Sequence, residues 1–536
     1  MKLLKAIQCA CALAIIAVPE SGANEPVLDK RPNFIFFITD DQFQEMMNFL
    51  PEGKGKNLTP ATDALAAEGT ILENLYVTSP VCTPSRFACL TGRYPSRSKS
   101  IPFTESTRKN EGQTIVEWNS FITKDDQDTL PWLLKKSGYS TGIVGKNHVI
   151  ITSEMERPNW DDDPTDPEVV ALLERNAERL RSACYQAGFD YAASLYNNNP
   201  DYNGIKALAS HNQDWITQGG VDFIEKFQGG PFFLWFATTI PHGPGSKQRS
   251  WGADPRITPE GMLDEGLTVQ PDRHSLSERL RIAGVSGWQK ENLLWLDDSL
   301  AALVAKLDEI GELDNTVIIY FNDHGQEAKG TLYQGGVHGE GFIWRDGGFP
   351  VGNEFSETIS NVDFAPTILD MAGVDYDPGI FDGVSFYPAL MAEEMQSHDS
   401  LYFELGYVRA VLKDGWKYIA LRYPEKIQNM SIEERKHRLE EFNKTMRDMR
   451  GRDPLTEDPM APFSHIQAIP GGGDAERTST GKYPAFYDAD QLYFLPDDPG
   501  EQVNLSTSNP EKLAEMQALL THYLNDLPGS FGELKP

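Results

Sequence analysis

The chain has few cysteines, a deficit of positive charge and no long apolar run. Five cysteines occur in 536 residues, and two of them, Cys9 and Cys11, lie near the N-terminus. Cys82, Cys89 and Cys184 remain, too few for a disulfide scaffold. Lys and Arg total 48 against 79 Asp and Glu, a formal net charge of −31. That balance argues against nucleic acid or an anionic membrane as partner. An anionic substrate must instead be drawn in by a local basic pocket. The most apolar N-terminal stretch, residues 6–18, is shorter than the ~20 residues that span a bilayer. There is no internal repeat, and no Asp-x-x-x-His spacing of the kind a two-zinc site needs.

What is present begins with an export signal. Lys2 and Lys5, the apolar stretch 6–18 and Ser21-Gly22-Ala23 before Asn24 read as a signal peptide over 1–23. The expected location is secreted or periplasmic, with no stable membrane anchor; a retained anchor helix is the competing reading. The remaining length can bury a large core. It divides into an N-terminal unit, 31–392, and a smaller α+β subdomain, 393–536, where the pattern shifts to alternating strands, a charged helical stretch (432–450), a Pro/Gly-rich loop (454–482) and a terminal amphipathic helix (511–527).

Within the first unit, apolar runs at 32–38, 139–144, 231–236 and 316–321 fit strands buried on both faces of a parallel sheet. Helical spacing at 59–68, 128–137, 293–310 and 361–373 supplies flanking layers. The polar region 154–213, with Asp161-Asp162-Asp163 and a charged helix at 167–183, reads as a surface insertion, and 245–286 as loop. Each of the four apolar runs stops at a polar cluster: Asp40-Asp41, Lys146-Asn147-His148, His242, and Asp323-His324. Ligands of open α/β sheets bind outside the C-terminal strand ends, so these side chains should meet at one edge.

A further stretch needs a different account. Cys82-Thr83-Pro84-Ser85-Arg86 places a cysteine in a Ser/Pro-rich turn with a guanidinium four residues on. If a helix starts here, Cys82 sits at its positive end, where a thiolate or bound anion is favoured. A lone cysteine is more often a buried structural residue.

Here the surroundings decide otherwise, because Cys82-x-Pro84-x-Arg86 resembles the signature of the type I sulfatases. The likeness extends to Leu58-Thr59-Pro60, to 63–69 and to Leu90-Thr91-Gly92-Arg93; Cys89 departs from the usual pattern. Gly138 through His148 resembles the family's second motif, with Asn147 where an aromatic is common. Lys329 through Gly336 matches another, with His338 where an Arg often follows. Leu492 through Leu505, with Asp498-Pro499, Glu501 and Asn504-Leu505, resembles the C-terminal motif.

The resemblance implies an alkaline-phosphatase-like α/β fold, a large mostly parallel mixed sheet flanked by helices. It implies that a formylglycine-generating maturation enzyme oxidises Cys82 to formylglycine, whose hydrated aldehyde is the nucleophile. Asp40, Asp41, Asp323 and His324, with position 82, would bind a divalent ion. Hard oxygen donors suit Ca²⁺, with Mg²⁺ second. Arg86, Lys146 and Lys329 would hold the nucleophile and the sulfate. His242, with Lys329, would protonate the leaving alcohol, and His148 would take the proton that releases sulfate. Lys146, His242, Lys329 and His338 are the expected substrate contacts, His338 to a sugar hydroxyl. The expected substrate is a sulfated carbohydrate. Two alternatives stay open: a formylglycine-dependent phosphodiester or phosphonate hydrolase, and a non-catalytic glycan-binding homologue.

Overall fold

The computed structural model describes residues 31–395, 398–450, 453–454, 456–461 and 481–534. The expected signal peptide and most of 454–482 lie outside the described residues.

A mixed sheet of eight strands forms the centre. In chain order these are β1 (Asn33–Asp40), β2 (Thr70–Leu72), β3 (Ser140–Lys146), β4 (Tyr191–Tyr196), β5 (Phe232–Pro241), β6 (Thr316–Asn322), β7 (Gly341–Trp344) and β8 (Glu354–Phe355). Their spatial order is β8-β2-β7-β6-β1-β5-β3-β4. Every pairing is parallel except those of β7, which runs antiparallel to β6 and β2. β1 lies in the middle, and all eight of its residues are buried. Phe34, Phe36 and Ile38 join the core on one face, with Leu90 and Phe364; Ile35 and Phe37 join the core on the other, with Leu65 and Trp295. This two-sided burial is why the strand reads as a continuous apolar run instead of an alternating one. Phe236, Phe37, Tyr320 and Phe342 stack across four adjacent strands, with centroids 5.0–5.6 Å apart. Such cross-strand rings fix the register.

The helices that position the site are α1 (Pro60–Glu68), α2 (Cys82–Thr91), α3 (Pro167–Gln186), α4 (Gln213–Phe227) and α5 (Lys290–Glu309). Two expectations need correction. The region 154–213 is not a surface insertion: after α3 it contributes β4, the edge strand paired with β3. And 245–286 is not all loop, since Leu276–Ala283 is helical.

The C-terminal subdomain is a four-stranded antiparallel sheet, β9 (Leu401–Leu405), β10 (Val408–Lys413), β11 (Trp416–Leu421) and β12 (Asp490–Phe494), paired in that order. Met516 and Leu520 of a terminal helix, α6 (Pro510–Asp526), cover one face. The other face continues the first core without a break, so Phe34 and Phe403 belong to one cluster. Among the described residues no helix is long and apolar enough to cross a membrane.

Candidate active site

The C-terminal ends of β1, β3, β5 and β6 meet the first turn of α2. Asp40 closes β1, and Asp41 follows with φ of 62°. Asp323 and His324 follow β6. A left-handed backbone at a non-glycine residue is unfavourable and persists only where the surroundings enforce it. The enforcing group is Asn322. Its Nδ2 donates to the carbonyls of Gln42 and His324 and to Glu340, while its Oδ1 accepts from the Gln42 amide. One buried amide thus ties the turn after β1 to the turn after β6.

Cys82 is the first residue of α2 and is buried. Its Sγ lies 3.5 Å from Asp40 Oδ1, 3.7 Å from His324 Nε2 and 3.8 Å from Lys329 Nζ. Arg86, one turn along, is fully buried; its Nη2 is 3.0 Å from Asp323 and 3.4 Å from Asp40. Its Nη1 is buried without a protein partner. Ser85 donates its hydroxyl to the carbonyl of Asp323, and Asn361 donates to Ser85, so α2 is pinned to the end of β6.

Lys146 closes β3 and its Nζ sits 2.6 Å from Asp40 Oδ2. The preceding Gly145 has φ of 80°, and a Cβ there would stand 1.8 Å from the carbonyl oxygen of Ala237 on β5. Only glycine permits that approach, and the register of β3 on β4 shifts at this point. His148, with φ of 42°, lies within a turn closed by Asn147, whose side chain bonds the carbonyl and the amide of Ile150. The unusual Asn147 therefore shapes the turn that carries His148. His148 is buried with Nδ1 unpartnered. Burial first, and then the charges of Lys146 and Arg86, hold its pKa well below the usual histidine value, so it is neutral at neutral pH.

Lys329 Nζ is 2.5 Å from Asp41 Oδ1, and His242 Nε2 is 3.4 Å from Asp41 Oδ2. His242 Nδ1 faces the Gly243 carbonyl at 2.9 Å, which requires the proton on Nδ1. Nε2 is left to face Asn199 Nδ2 at 2.9 Å. Burial pulls the His242 pKa down despite Asp41 and Asp40. For Asp40, burial pushes up, but Lys146, His242 and Arg86 outweigh it and hold the carboxyl far below its usual range. Burial alone would also lower His324, yet Asp323 and Asp41 push it up to about 10.

The geometry gathers Asp40, Asp41, Cys82, Arg86, Lys146, His242, Asp323, His324 and Lys329 through direct contacts, with His148 beside Lys146. His338 stands apart from these contacts. Its ring packs edge-on to Tyr76 at 5.3 Å, and it bonds the Glu73 backbone. Asn199 and Asn322 are the residues sequence reasoning missed. Asn199 follows β4, inside the segment expected to be decoration.

Asp40, Cys82 and Asp323, and likewise Asp41, Cys82 and His324, bring their ligand atoms within 4.8 Å of one another. Three carboxylates and one imidazole around a point form a mainly hard-oxygen donor set, which fits a divalent cation such as Ca²⁺ or Mg²⁺.

A strand-end cluster of this kind on a doubly flanked, mostly parallel sheet is the arrangement of the alkaline-phosphatase-like fold. Residues 32–374 match the Sulfatase family, and the chain belongs to it. Human N-acetylglucosamine-6-sulfatase is 27% identical over 394 residues, covering 67% of this chain and 64% of that protein. Mouse N-acetylgalactosamine-6-sulfatase is 24% identical over 431 residues, covering 76% of this chain and 75% of its own. An N-acetylglucosamine-6-O-sulfatase of Bacteroides thetaiotaomicron is 26% identical over 446 residues, covering 71% and 75%. The chain thus spans just under two thirds of the human relative, and 32% of a Drosophila extracellular sulfatase that it also matches. A solved structure described as a complex with D-glucosamine-2-N,6-O-disulfate shares the fold at TM-score 0.54 and 19% identity, over 92% of this chain and 98% of that one.

Proposed function

We propose that the protein is an exported carbohydrate sulfatase that hydrolyses sulfate esters of an amino sugar, the 6-sulfate of an N-acetylhexosamine first among them. The observation that carries this is Cys82 at the first turn of α2, within 3.8 Å of Asp40, His324 and Lys329. A structural cysteine has no need of that company. The relatives supply the sugar: their names share the 6-sulfate of an N-acetylated hexosamine.

In this reading Cys82 is matured to formylglycine, which supplies the oxygen nucleophile. Asp40, Asp41, Asp323 and His324 would hold a divalent ion, Ca²⁺ before Mg²⁺, which supplies positive charge for the sulfate oxygens. The chain's own residues do the rest. Arg86, Lys146 and Lys329 balance the three carboxylates in charge, so the pocket is not itself a repulsive anion within a protein of net charge −31. His242 is held by Gly243 through Nδ1, so in its doubly protonated form Nε2, beside Asn199 and Asp41, carries a proton to the leaving sugar oxygen, and Lys329 stands beside it on the same Asp41. His148, neutral and with Nδ1 unpartnered, accepts the proton from position 82 that allows sulfate to depart.

The test combines product and mass. Sulfate release is followed on 6-sulfated N-acetylglucosamine, 6-sulfated N-acetylgalactosamine, an aryl sulfate and an aryl phosphate. The mass of the peptide bearing Cys82 is measured in the same preparation. Sulfate from a sugar, with aldehyde at position 82, is expected. Faster hydrolysis of aryl phosphate, or full activity with an unmodified thiol, overturns the reading.

A further inference from the structure

Large exposed side chains that are apolar are uncommon in this protein, and one of them lies close to the reaction centre. Trp288 is 62% exposed. Truly free tryptophans are rare, because on the order of 150 Å² of ring left in water forgoes most of what the residue gains by burial. The neighbours of Trp288 are nevertheless fixed. Its ring meets Phe43 edge-on at 5.9 Å. Phe43 follows Asp41 by two residues, at most ~7.6 Å of chain. On its C-terminal side, Gln289 is buried with φ of 63°, and its Nε2 donates to the carbonyl of Pro241 at 2.9 Å, next to His242. Asn292 in turn donates to Gln289 Oε1. The loop carrying His242 closes against the same amide: a Cβ at Gly245 would stand 2.4 Å from Gln289 Nε2.

A strained, buried glutamine thus ties the segment of an exposed indole to the Pro241 carbonyl, one residue before His242, and Phe43 ties it to the strand end that carries Asp40 and Asp41. Among the described residues neither Phe43 nor Trp288 belongs to a core cluster. A flat apolar ring beside a charged pocket matches the chemistry of one ligand, the C–H face of a pyranose whose neighbour in the chain is seated in the pocket. We infer that Trp288, buttressed edge-on by Phe43, forms a stacking platform for the sugar ring adjoining the sulfated residue. This rests on the carbohydrate reading above and adds where the second sugar binds. Trp288 acts by binding that ring, not in the bond cleavage, so it sets preference for oligosaccharide over monosaccharide.

The experiment compares wild type, Trp288→Ala and Trp288→Phe on two probes, N-acetylglucosamine-6-sulfate and a heparan-derived tetrasaccharide with 6-sulfated glucosamine at its non-reducing end. The ratio of kcat/KM, tetrasaccharide over monosaccharide, is expected to fall roughly tenfold in Trp288→Ala, the scale of truncating a well-engaged tryptophan. The loss should lie in KM, and Trp288→Phe should restore most of it. An unchanged ratio overturns the platform while sugar desulfation by the wild type leaves the carbohydrate reading standing. Failure of the wild type on both glycans overturns both. An unchanged ratio accompanied by a change of oligomeric state on ultracentrifugation assigns Trp288 to a second copy of the chain instead.

Discussion

Two regions of this molecule bury charge, and they do so in different ways. At the strand ends of the central sheet, Asp40, Asp323, Arg86 and Lys146 are fully buried and share partners: Arg86 serves both aspartates, and Asp40 serves both cations. In the C-terminal subdomain the buried charges form closed pairs, one cation to one carboxylate. Lys417 meets Glu501 at 2.7 Å, with almost no exposure on either side. Arg409 spends its Nη1 and Nη2 donors on the carbonyls of Gly406, Val408 and Thr114, and its Nε lies 3.7 Å from Glu404. Both regions leave buried polar atoms without an aligned hydrogen bond, Arg86 Nη1 and His148 Nδ1 in the first and Arg409 Nε and Lys417 Nζ in the second, but only in the first do they surround a nucleophile position. The second fastens one sheet to the rest, since Glu501 also accepts from the Gln334 amide and Glu404 from Ser96. Burial of charge is costly in both places. It marks chemistry only where the partners are shared around a nucleophile.

If that contrast is right, the largest effect on turnover comes from the shared network. Asp40→Ala removes a carboxylate that faces Cys82, Arg86 and Lys146 together. Loss of activity on the order of 10⁴-fold or more is expected, as for members of interdependent catalytic groups. Circular dichroism should show the fold retained. A folded variant with more than a few per cent of wild-type activity would break the comparison.

The next effect sharpens it within the site. His242→Ala should cost ~10²–10⁴-fold on a sugar sulfate, the usual worth of general acid catalysis. On nitrophenyl sulfate, whose leaving group hardly needs a proton, the loss should be much smaller. Equal losses on the two substrates would show that His242 only positions the sulfate.

Asn199 tests how far the network reaches. Its Nδ2 lies 2.9 Å from His242 Nε2, while its Oδ1 is buried without a partner. Rotating the amide would offer the oxygen to a protonated His242, so one side chain can serve both states of the imidazole. Asn199→Ala should lower kcat on sugar sulfates by roughly tenfold, within the range for losing a hydrogen bond to a charged group. KM should change little, and the loss on nitrophenyl sulfate should be smaller, following His242. A KM effect without a kcat effect would make Asn199 a substrate contact instead.

Asn199 also shows where sequence reading stops. β1, β3, β5 and β6 were legible because burial on both faces demands unbroken apolar runs, and each run ended in its functional cluster. β4 was not. Tyr-Ala-Ala-Ser-Leu-Tyr has few β-formers, follows a charged helix, and sits at the sheet edge, where one neighbour suffices. With β4 unseen, Asn199 had no strand end to belong to. Asn322 was visible, but its clamp depends on Gln42 and Glu340, far apart in sequence, and no local pattern announces such a bond. His338 differs in the opposite direction: its place in a motif suggested a sugar contact, and its ring lies against Tyr76, apart from the cluster. A motif fixes where a residue falls along the chain, not which way its side chain turns.

The smallest effect on turnover should come from the second region, where the expected loss is in stability. Burial pulls Lys417 below and pushes Glu501 above its ordinary pKa, so each charge depends on the other, with the Gln334 amide beside Glu501 and the Phe403 ring 5.9 Å from Lys417. Lys417→Met leaves Glu501 buried and alone. Breaking a buried pair from one side costs about 3–5 kcal/mol, which thermal or urea unfolding would register. Lys417→Met with Glu501→Gln removes both charges while keeping an acceptor for the Gln334 amide. This double variant should recover most of the loss, because the desolvation cost of both ions is removed as well. The kcat of the folded protein should stay within about twofold in each variant, since neither residue shares a partner with Cys82 or its carboxylates. Should Lys417→Met instead abolish turnover at full stability, closed and shared burial would not be distinct, and the subdomain would have to be counted as part of the site.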